Sequence, residues 1–509
     1  MIASCFSNFG IGARTKLWTL QLPYIAVIVV FAASRVFYHY ELEIRFDHTP
    51  VYYFIQYINP WFIEHDFWRS ILYLHQQAPL QNLLVGGCMR IFGDHFAFKV
   101  LTSIYVALGL VTVLCMLHVM LKLGALRTVA TVATCLYAAS PITVFYENWL
   151  FYHMPVAALM LLSLVALLRF YRVRTWAAAL TFFGLFAGIA LFYALFNPIL
   201  MVAIALALLL RAPSISRQCP APRKRIVAAL AIPLALVVIN LAKTQLLVGH
   251  SHGSAFLWEN LAVKTFDGIS PIERERLASR GFITGAPKFV LFSTRITEYG
   301  RLRVPHQPTG VPLLDLEETP DGNVNPHTIE KILIAEKHYK HDAFYFFRHR
   351  FVDYWRAVVD GLTLGYVSSA FVFDDSVYCE NRVKLAPLQA KVDSLFLRDS
   401  QGRLLVLAVA LPVTVIYGLY RLLSARSWLT SERSAVAAFS FMCLIVVYIT
   451  VATILVAVGD FSRYRFNIDQ LFLIMFVLLI TDIARRVRAL WNRCRQPSGT
   501  PVRLSQRLG

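Results

Sequence analysis

Charge is the scarcest property of this 509-residue chain: only 16% of its residues are Asp, Glu, Lys or Arg. A soluble protein of this length needs far more polar surface. The composition is 57% hydrophobic with a mean hydropathy of +0.57, which argues against an ordinary globular domain and makes an integral membrane protein the default. The eight cysteines offer no C-x-x-C pair and no metal spacing. No N-x-S/T sequon occurs, which favours a bacterial origin over a secretory-pathway one. Neither a D-x-D pair nor a nucleotide-binding Gly-rich loop is present.

Acids are scarcer than bases. The formal net charge is +19 and the pI about 9.7, a balance that invites nucleic acid until it is mapped onto topology. Ten apolar spans, each roughly 18–25 residues and long enough for ~30 Å of hydrocarbon, lie near 17–38, 97–121, 128–146, 149–168, 175–193, 194–210, 226–247, 404–423, 434–458 and 466–484. Alternate connections carry the basic residues: Arg14 and Lys16, Lys122 and Arg127, Arg169 to Arg174, Arg211 to Arg225, Arg421 to Arg433, and the arginine-rich tail from Arg485. Only Glu432 and Asp482 oppose them there, and the rest of the chain is close to neutral. The basicity is therefore a positive-inside bias with both termini cytoplasmic, and nucleic acid is not needed to explain it.

The expected fold class is an all-α membrane core of about ten transmembrane helices. Amphipathic outer-face helices and a large outer-side α-containing domain between spans 7 and 8 complete it. Residues 1–247 hold helices 1–7 and the outer loop 39–96, residues 248–403 the extramembrane domain, 404–484 the last three helices, and 485–509 a basic cytoplasmic tail. Ala32-Ala33-Ser34 imitate a signal-peptide cleavage site, but cleavage would remove the span that orients everything after it, so the helix is retained. Residues 175–210 read as two short spans turning near Asn197-Pro198, since a single span would flip the parity and put Arg217–Arg225 outside.

Within the outer loop, Phe62, Ile63, Phe67, Trp68, Ile71, Leu72 and Leu74 recur at helical spacing, which predicts a helix in the interface plane. A second is expected from Pro79 to Phe92, before Gly93. Thr328 to Gly361 reads as helical, and His341 to Trp355 mixes aromatic and basic residues as a membrane-surface helix or a substrate groove would. Cys88 and Cys379 fall on the outer side; a disulfide between them stands beside the reading of two separate thiols. His250-x-His252 lacks a third ligand at a recognisable spacing and reads as solvated loop.

Four polar features stand on the outer face: Asp47 after the first span, His75-Gln76-Gln77-Ala78-Pro79-Leu80-Gln81-Asn82, Glu147 between two apolar spans, and Arg463-Tyr464-Arg465 before the last. Glu147 is either a solvated turn residue or a functional acid. Lys243, near the outer end of its span, either snorkels to the interface or meets a lipid phosphate. Arg463 and Arg465 run against the topological bias: they either pair with Asp460 and Asp469 or clamp a phosphate with their planar forks.

By Asp47, by the His75–Leu80 segment and by the R-Y-R element, the chain resembles the C-type superfamily of polytopic glycosyltransferases. These use polyprenyl-phosphate sugars and include protein O-mannosyltransferases and lipid A aminoarabinose transferases. Ala78 departs from the family's H-x-x-P-P-L-like pattern. The resemblance implies an inverting transfer from a polyprenyl-phosphate sugar to a glycan, lipid or protein acceptor at the outer face of a bacterial inner membrane. Asp47 would be the general base and Glu147 a second acid, with Arg463, Arg465 and Lys243 as donor-phosphate cations. His75 would orient substrate or cap the next helix, and Gln77, Asn82 and Tyr464 would position substrate. The lipid bilayer is an expected partner and nucleic acid is not. No cofactor is assigned, and a divalent metal is left open without ligand spacing in its support. A lipid-linked glycan transporter or flippase would more often show repeats and midplane charges. An O-antigen-type polymer ligase would use Arg348-His349-Arg350, and a scaffold is the third alternative.

Overall fold

Long apolar runs with no water to satisfy their backbone must bond internally, and in this chain they do so as helices. The computed structural model describes residues 11–211, 221–249, 254, 257–286, 295, 300, 302–367, 379–400, 403–424, 432–457 and 461–495. Among the described residues there is no strand, only isolated bridges, and the protein is an all-α membrane protein.

Among the described residues seven helices are long and apolar enough to cross a bilayer: Gln21–Tyr40, Leu80–Lys122, His153–Val173, Lys224–Val248, Leu405–Ser424, Ser434–Val456 and Phe461–Asn492. An eighth span results if Arg127–Ala139 and Pro141–Glu147, bent by 56°, count as one. The bend has a local cause. Pro141 cannot continue the preceding hydrogen-bond ladder, and the Ser140 hydroxyl caps the new helix by accepting from the Thr143 N–H at 3.3 Å. The other two expected spans are present as the shorter apolar helices Trp176–Phe192 and Pro198–Leu209, so a count of ten spans is not confirmed. They are separate helices rather than one. Asn197 caps the second by accepting from the Leu200 N–H at 3.1 Å.

The helix His153–Val173 is central. It packs against Trp176–Phe192, Leu80–Lys122, Glu432–Val456 and Phe461–Arg495, and its Met154, Val156, Ala157, Met160, Leu161 and Leu164 are fully buried. The first helix lies against Arg127–Ala139.

In the first loop the helix Pro60–Tyr73 is started by Asn59, which accepts from the Trp61 N–H at 2.8 Å, with Pro60 in the first turn. The expected second loop helix runs straight into the following span as Leu80–Lys122. The two are separated only by a kink at Gly93, whose φ of 70° suits a residue without Cβ.

The long segment after residue 248 has an apolar core of its own, made by Ala262, Val263, Phe266, Leu277, Tyr339 and Phe346 among others. Its helical stretch consists of Ile329–Ile334, a π-turn Ala335–Tyr339, Lys340–His349, Phe351–Asp360 and a second π-turn Gly361–Tyr366. The chain breaks at Arg350 (φ −141°, ψ 41°) between two of these helices. The last helix of the segment, Glu380–Ser394, returns to pack on Pro141–Glu147, and Cys379 and Leu385 join the core of the membrane helices. Cys88 and Cys379 are both free thiols, so the disulfide alternative is corrected. His250, His252 and Asp460 lie outside the described residues.

Candidate active site

The first loop leaves its helix through Glu43, at a φ of 49°, and meets the turn after Glu147. Asp47 donates its N–H to the Asn148 carbonyl at 2.8 Å, and the Leu150 N–H donates to the Asp47 carbonyl at 2.8 Å. A third segment closes the clasp. Asn381 accepts from the Arg45 N–H at 3.3 Å and donates to the Arg45 carbonyl at 2.6 Å. The half-buried Asp47 carboxylate is oriented at both oxygens. Oδ1 accepts from the Thr49 N–H at 2.9 Å, and Oδ2 accepts from the Cys379 thiol at 3.0 Å. Burial pushes the Cys379 thiol up and the adjacent Asp47 carboxylate pushes it further, so it stays a protonated donor.

Glu147 is buried and held by the first helix. Arg35 donates from Nε to Oε1 at 2.9 Å and from Nη2 to Oε2 at 2.6 Å, a two-pronged fork, while its guanidinium sits 3.8 Å from the centre of the Phe31 ring. Room for the pair comes from Gly109, where a Cβ would stand 2.0 Å from Glu147 Oε2. Glu147 thus supports the turn whose next carbonyl receives Asp47, and both of its carboxylate oxygens are bonded by Arg35.

The His75–Asn82 segment is almost wholly buried and binds the loops together. Asn82 accepts from the Ile58 N–H and donates to the Gln56 carbonyl, both at 2.8 Å. Gln81 donates to the hydroxyls of Tyr57 and Tyr105 at 3.0 Å each. Gln77 accepts from the Ala194 N–H at 2.9 Å, and Gln76 donates to the Pro326 carbonyl at 2.6 Å. His75 bonds the Tyr73 carbonyl at 3.0 Å and meets His327 edge to face at 5.6 Å. His327 is fully buried. Its Nε2 bonds the Tyr57 carbonyl at 3.0 Å, its Nδ1 has no hydrogen-bond partner, and burial pushes its pKa down to about 4. Lys243 donates to the Leu74 carbonyl at 3.1 Å and lies 3.5 Å from that of Ile71, neutralising the end of the helix Pro60–Tyr73.

The two arginines before the last helix part company. Arg465 is buried, donates to Asp469 at 3.1 Å and to the Tyr366 carbonyl at 2.7 Å. Arg463 lies instead among aromatic rings, 5.4 Å from the centre of Phe151 and 5.2 Å from that of Tyr464. Phe151 stacks on Trp149 at 4.6 Å and on His153 at 5.0 Å, and Tyr152 stacks on Tyr193 at 4.3 Å. Neither ring nitrogen of the fully buried His153 has a hydrogen-bond partner. Asp47 and Arg463 therefore flank one stretch. The main chain of Asp47 is bonded to that of Asn148 and Leu150, around Trp149, and the cation faces the ring of Phe151, two residues beyond and at most ~7 Å along the chain.

Arg35, His153 and Tyr193 did not emerge from the sequence, and Cys379 emerged only as an outer-side thiol, without its contact to Asp47. His153, a histidine heading an apolar span, was the one visible signal. Arg350, offered by the ligase alternative, is fastened to Glu273 and, at 2.6 Å, to Asp353. Among the described residues no three His, Cys, Asp or Glu side chains stand close enough to hold a metal ion.

Fold and composition define a multi-pass, all-α membrane protein with polar groups gathered where the first loop, the turn after Glu147 and the head of the last helix meet. No protein-family model matches the chain, and no curated protein sequence matches it. Among solved structures it is similar to the oligosaccharyltransferase of Archaeoglobus fulgidus tethered with an acceptor peptide, at 14% identity and a TM-score of 0.38, covering 96% of this chain and 52% of that one. It is also similar to the archaeal oligosaccharyltransferase AglB from the same organism in complex with an inhibitory peptide and a dolichol-phosphate, at 14% identity and a TM-score of 0.35, covering 98% and 53%. The chain spans about half the length of those proteins, and likenesses this low transfer nothing to it.

Proposed function

We propose that this chain is a membrane glycosyltransferase of the C-type superfamily that moves a sugar from a polyprenyl-phosphate donor to a hydroxyl acceptor at the outer membrane face. The observation that carries the reading is the arrangement around Asn148–Phe151. The backbone of Asp47, whose carboxylate is oriented by Thr49 and Cys379, is bonded on one side of it, and the Arg463 guanidinium lies over its Phe151 ring. Those are the two groups that the transfer needs.

Asp47 takes the acceptor's hydroxyl proton as the oxygen attacks the anomeric carbon. The bond from that carbon to the phosphate oxygen breaks with inversion, and the lipid phosphate leaves as an anion. Arg463 stabilises the charge that develops on it. Arg465 and Lys243, read from the sequence as further phosphate cations, serve by these contacts to hold the head of the last helix and the end of Pro60–Tyr73. Gln77 and Asn82 act through the loops that they bind. The inner membrane, with both termini cytoplasmic, is the location that fits the charge bias.

Asp47→Asn tests this reading. It preserves shape and removes basicity, so the variant should fold while sugar transfer from a short-chain polyprenyl-phosphate donor, with membranes of the source cell as acceptor, falls by ~10²-fold or more. Parental transfer by a folded Asp47→Asn chain would remove Asp47 from the mechanism.

A further inference from the structure

The helix Phe351–Asp360 presents three kinds of side chain on three sides. At about 100° per residue, Tyr354, Ala357 and Val358 share one side and are buried. Asp353, Arg356 and Asp360 share a second, with Arg356 lying 3.5 Å from Asp353. On the third side, within an arc of about 100°, stand Phe351, Val352, Trp355, Val359 and, in the following π-turn, Leu362, respectively 54%, 72%, 50%, 43% and 42% exposed. Five neighbouring large apolar side chains on one arc form a patch that needs a partner.

We propose that this arc lies on the lipid bilayer, at the boundary between headgroups and acyl chains. Two anchors set its level. The Tyr354 hydroxyl donates at 3.0 Å to the carbonyl of Leu455, in the last turn of the span Ser434–Val456. Gly361, just past the helix, fits so closely against the first residue of the final span that a Cβ there would stand 2.8 Å from the Phe461 ring. One helix is thus tied to the end of one span and the start of the next, which is where an apolar run meets water. Lipid-facing surface continues from it, since Val447 and Val451 of the same span are 42% and 49% exposed. Charged residues on the side away from the apolar arc, and a tryptophan within it, are what an interfacial helix carries. The proposal does not rest on the transferase reading.

The test uses the full chain in vesicles of phosphatidylethanolamine and phosphatidylglycerol, with a benzophenone amino acid placed in turn at Val352, Trp355 and Arg356. Irradiation should give phospholipid adducts, read by mass spectrometry, at positions 352 and 355 and a loss of adduct at 356. Absence of lipid adduct at 352 and 355, or adduct to a second protein instead, overturns the proposal. If labelled chains do not fold, unlabelled ones decide. Tryptophan fluorescence of the parent should be quenched by brominated phospholipid, and Trp355→Phe should lose part of the quenched signal. Equal quenched signals in the two would overturn it as well.

Discussion

The separation of Arg463 from Arg465 can be measured. Arg465 is 4% exposed at its side chain, holds Asp469 and bonds the Tyr366 carbonyl, so Arg465→Ala leaves a carboxylate without its cation inside the bundle. Removing one partner of a buried pair costs about 3–5 kcal/mol. Asp469 is 24% exposed at its side chain, which puts this case near the lower end. The melting midpoint in detergent should fall, while the folded fraction binds donor as the parent does. The double variant Arg465→Ala/Asp469→Asn should recover part of the loss, because the stranded charge is gone. Arg463→Ala should instead weaken binding. It loses a charge-assisted contact to the donor phosphate worth ~1.5–3 kcal/mol, and at about 1.4 kcal/mol per tenfold donor affinity falls by roughly ten- to a hundredfold in the folded fraction. Lysine at 463 should restore only part of it, since it keeps the charge without the fork. Titration with a short-chain polyprenyl-phosphate sugar beside a melting curve reads both effects. Parental affinity in Arg463→Ala, or lost affinity with an unchanged midpoint in Arg465→Ala, would refute the division of roles.

Glu147→Gln should lower the melting midpoint by breaking the fork from Arg35, at a cost of about 3–5 kcal/mol, and Gly109→Ala should lower it too, because its Cβ would stand 2.0 Å from Glu147 Oε2. A parental midpoint in both would show that the pair does not brace the turn. His327 links stability to pH. Its ordinary pKa of 6.5 is pushed down to about 4 in the fold, so its contribution is complete above pH 6.5 and lost as the pH falls toward 4. In that window the unfolded chain takes up a proton that the folded one refuses, a loss of about 3 kcal/mol in all. Denaturant titrations from pH 7 to pH 4 should show a flatter dependence in His327→Gln than in the parent, and identical slopes would count against it. Cysteines introduced at Gly310 and Ser498 should label from opposite sides of the membrane; labelling from one side would end the topology drawn from the basic connections.

Much of the fold was legible because its signals are local. Apolar length marks the spans, Gly93 marks the kink, and the helical spacing from Thr328 to Gly361 reappears as four consecutive helical pieces and the start of a fifth. Span count was less legible, since Trp176–Phe192 and Pro198–Leu209 carry the composition of a span without the length. The roles of individual polar residues were harder still. An amide such as Asn82 can serve a ligand or a backbone, and its bonds to Gln56 and Ile58 become visible only once the loop is folded. Arg35 and Glu147 stand 112 residues apart, so nothing in either one's neighbourhood announces the pair. For Arg465 the choice between pairing and clamping turns on where Asp469 falls, one helical turn away, and both readings use the same residues.

Cys379 reaches Asp47 across 332 positions of sequence, and Asn381 reaches Arg45 across 336. The order of synthesis therefore matters to this site. The acid is made and inserted early, with the first helix, whereas the groups that orient it emerge only after seven of the ten apolar segments have left the ribosome. Until then Asp47 has only its local bond to Thr49, and any pairing with the turn after Glu147 lacks its third strand of support. A chain interrupted before residue 379 carries the acid and the central helices but not the clasp. On the proposed reading, a fragment that ends before residue 379 lacks the groups that orient Asp47 and should transfer sugar more slowly than the full chain.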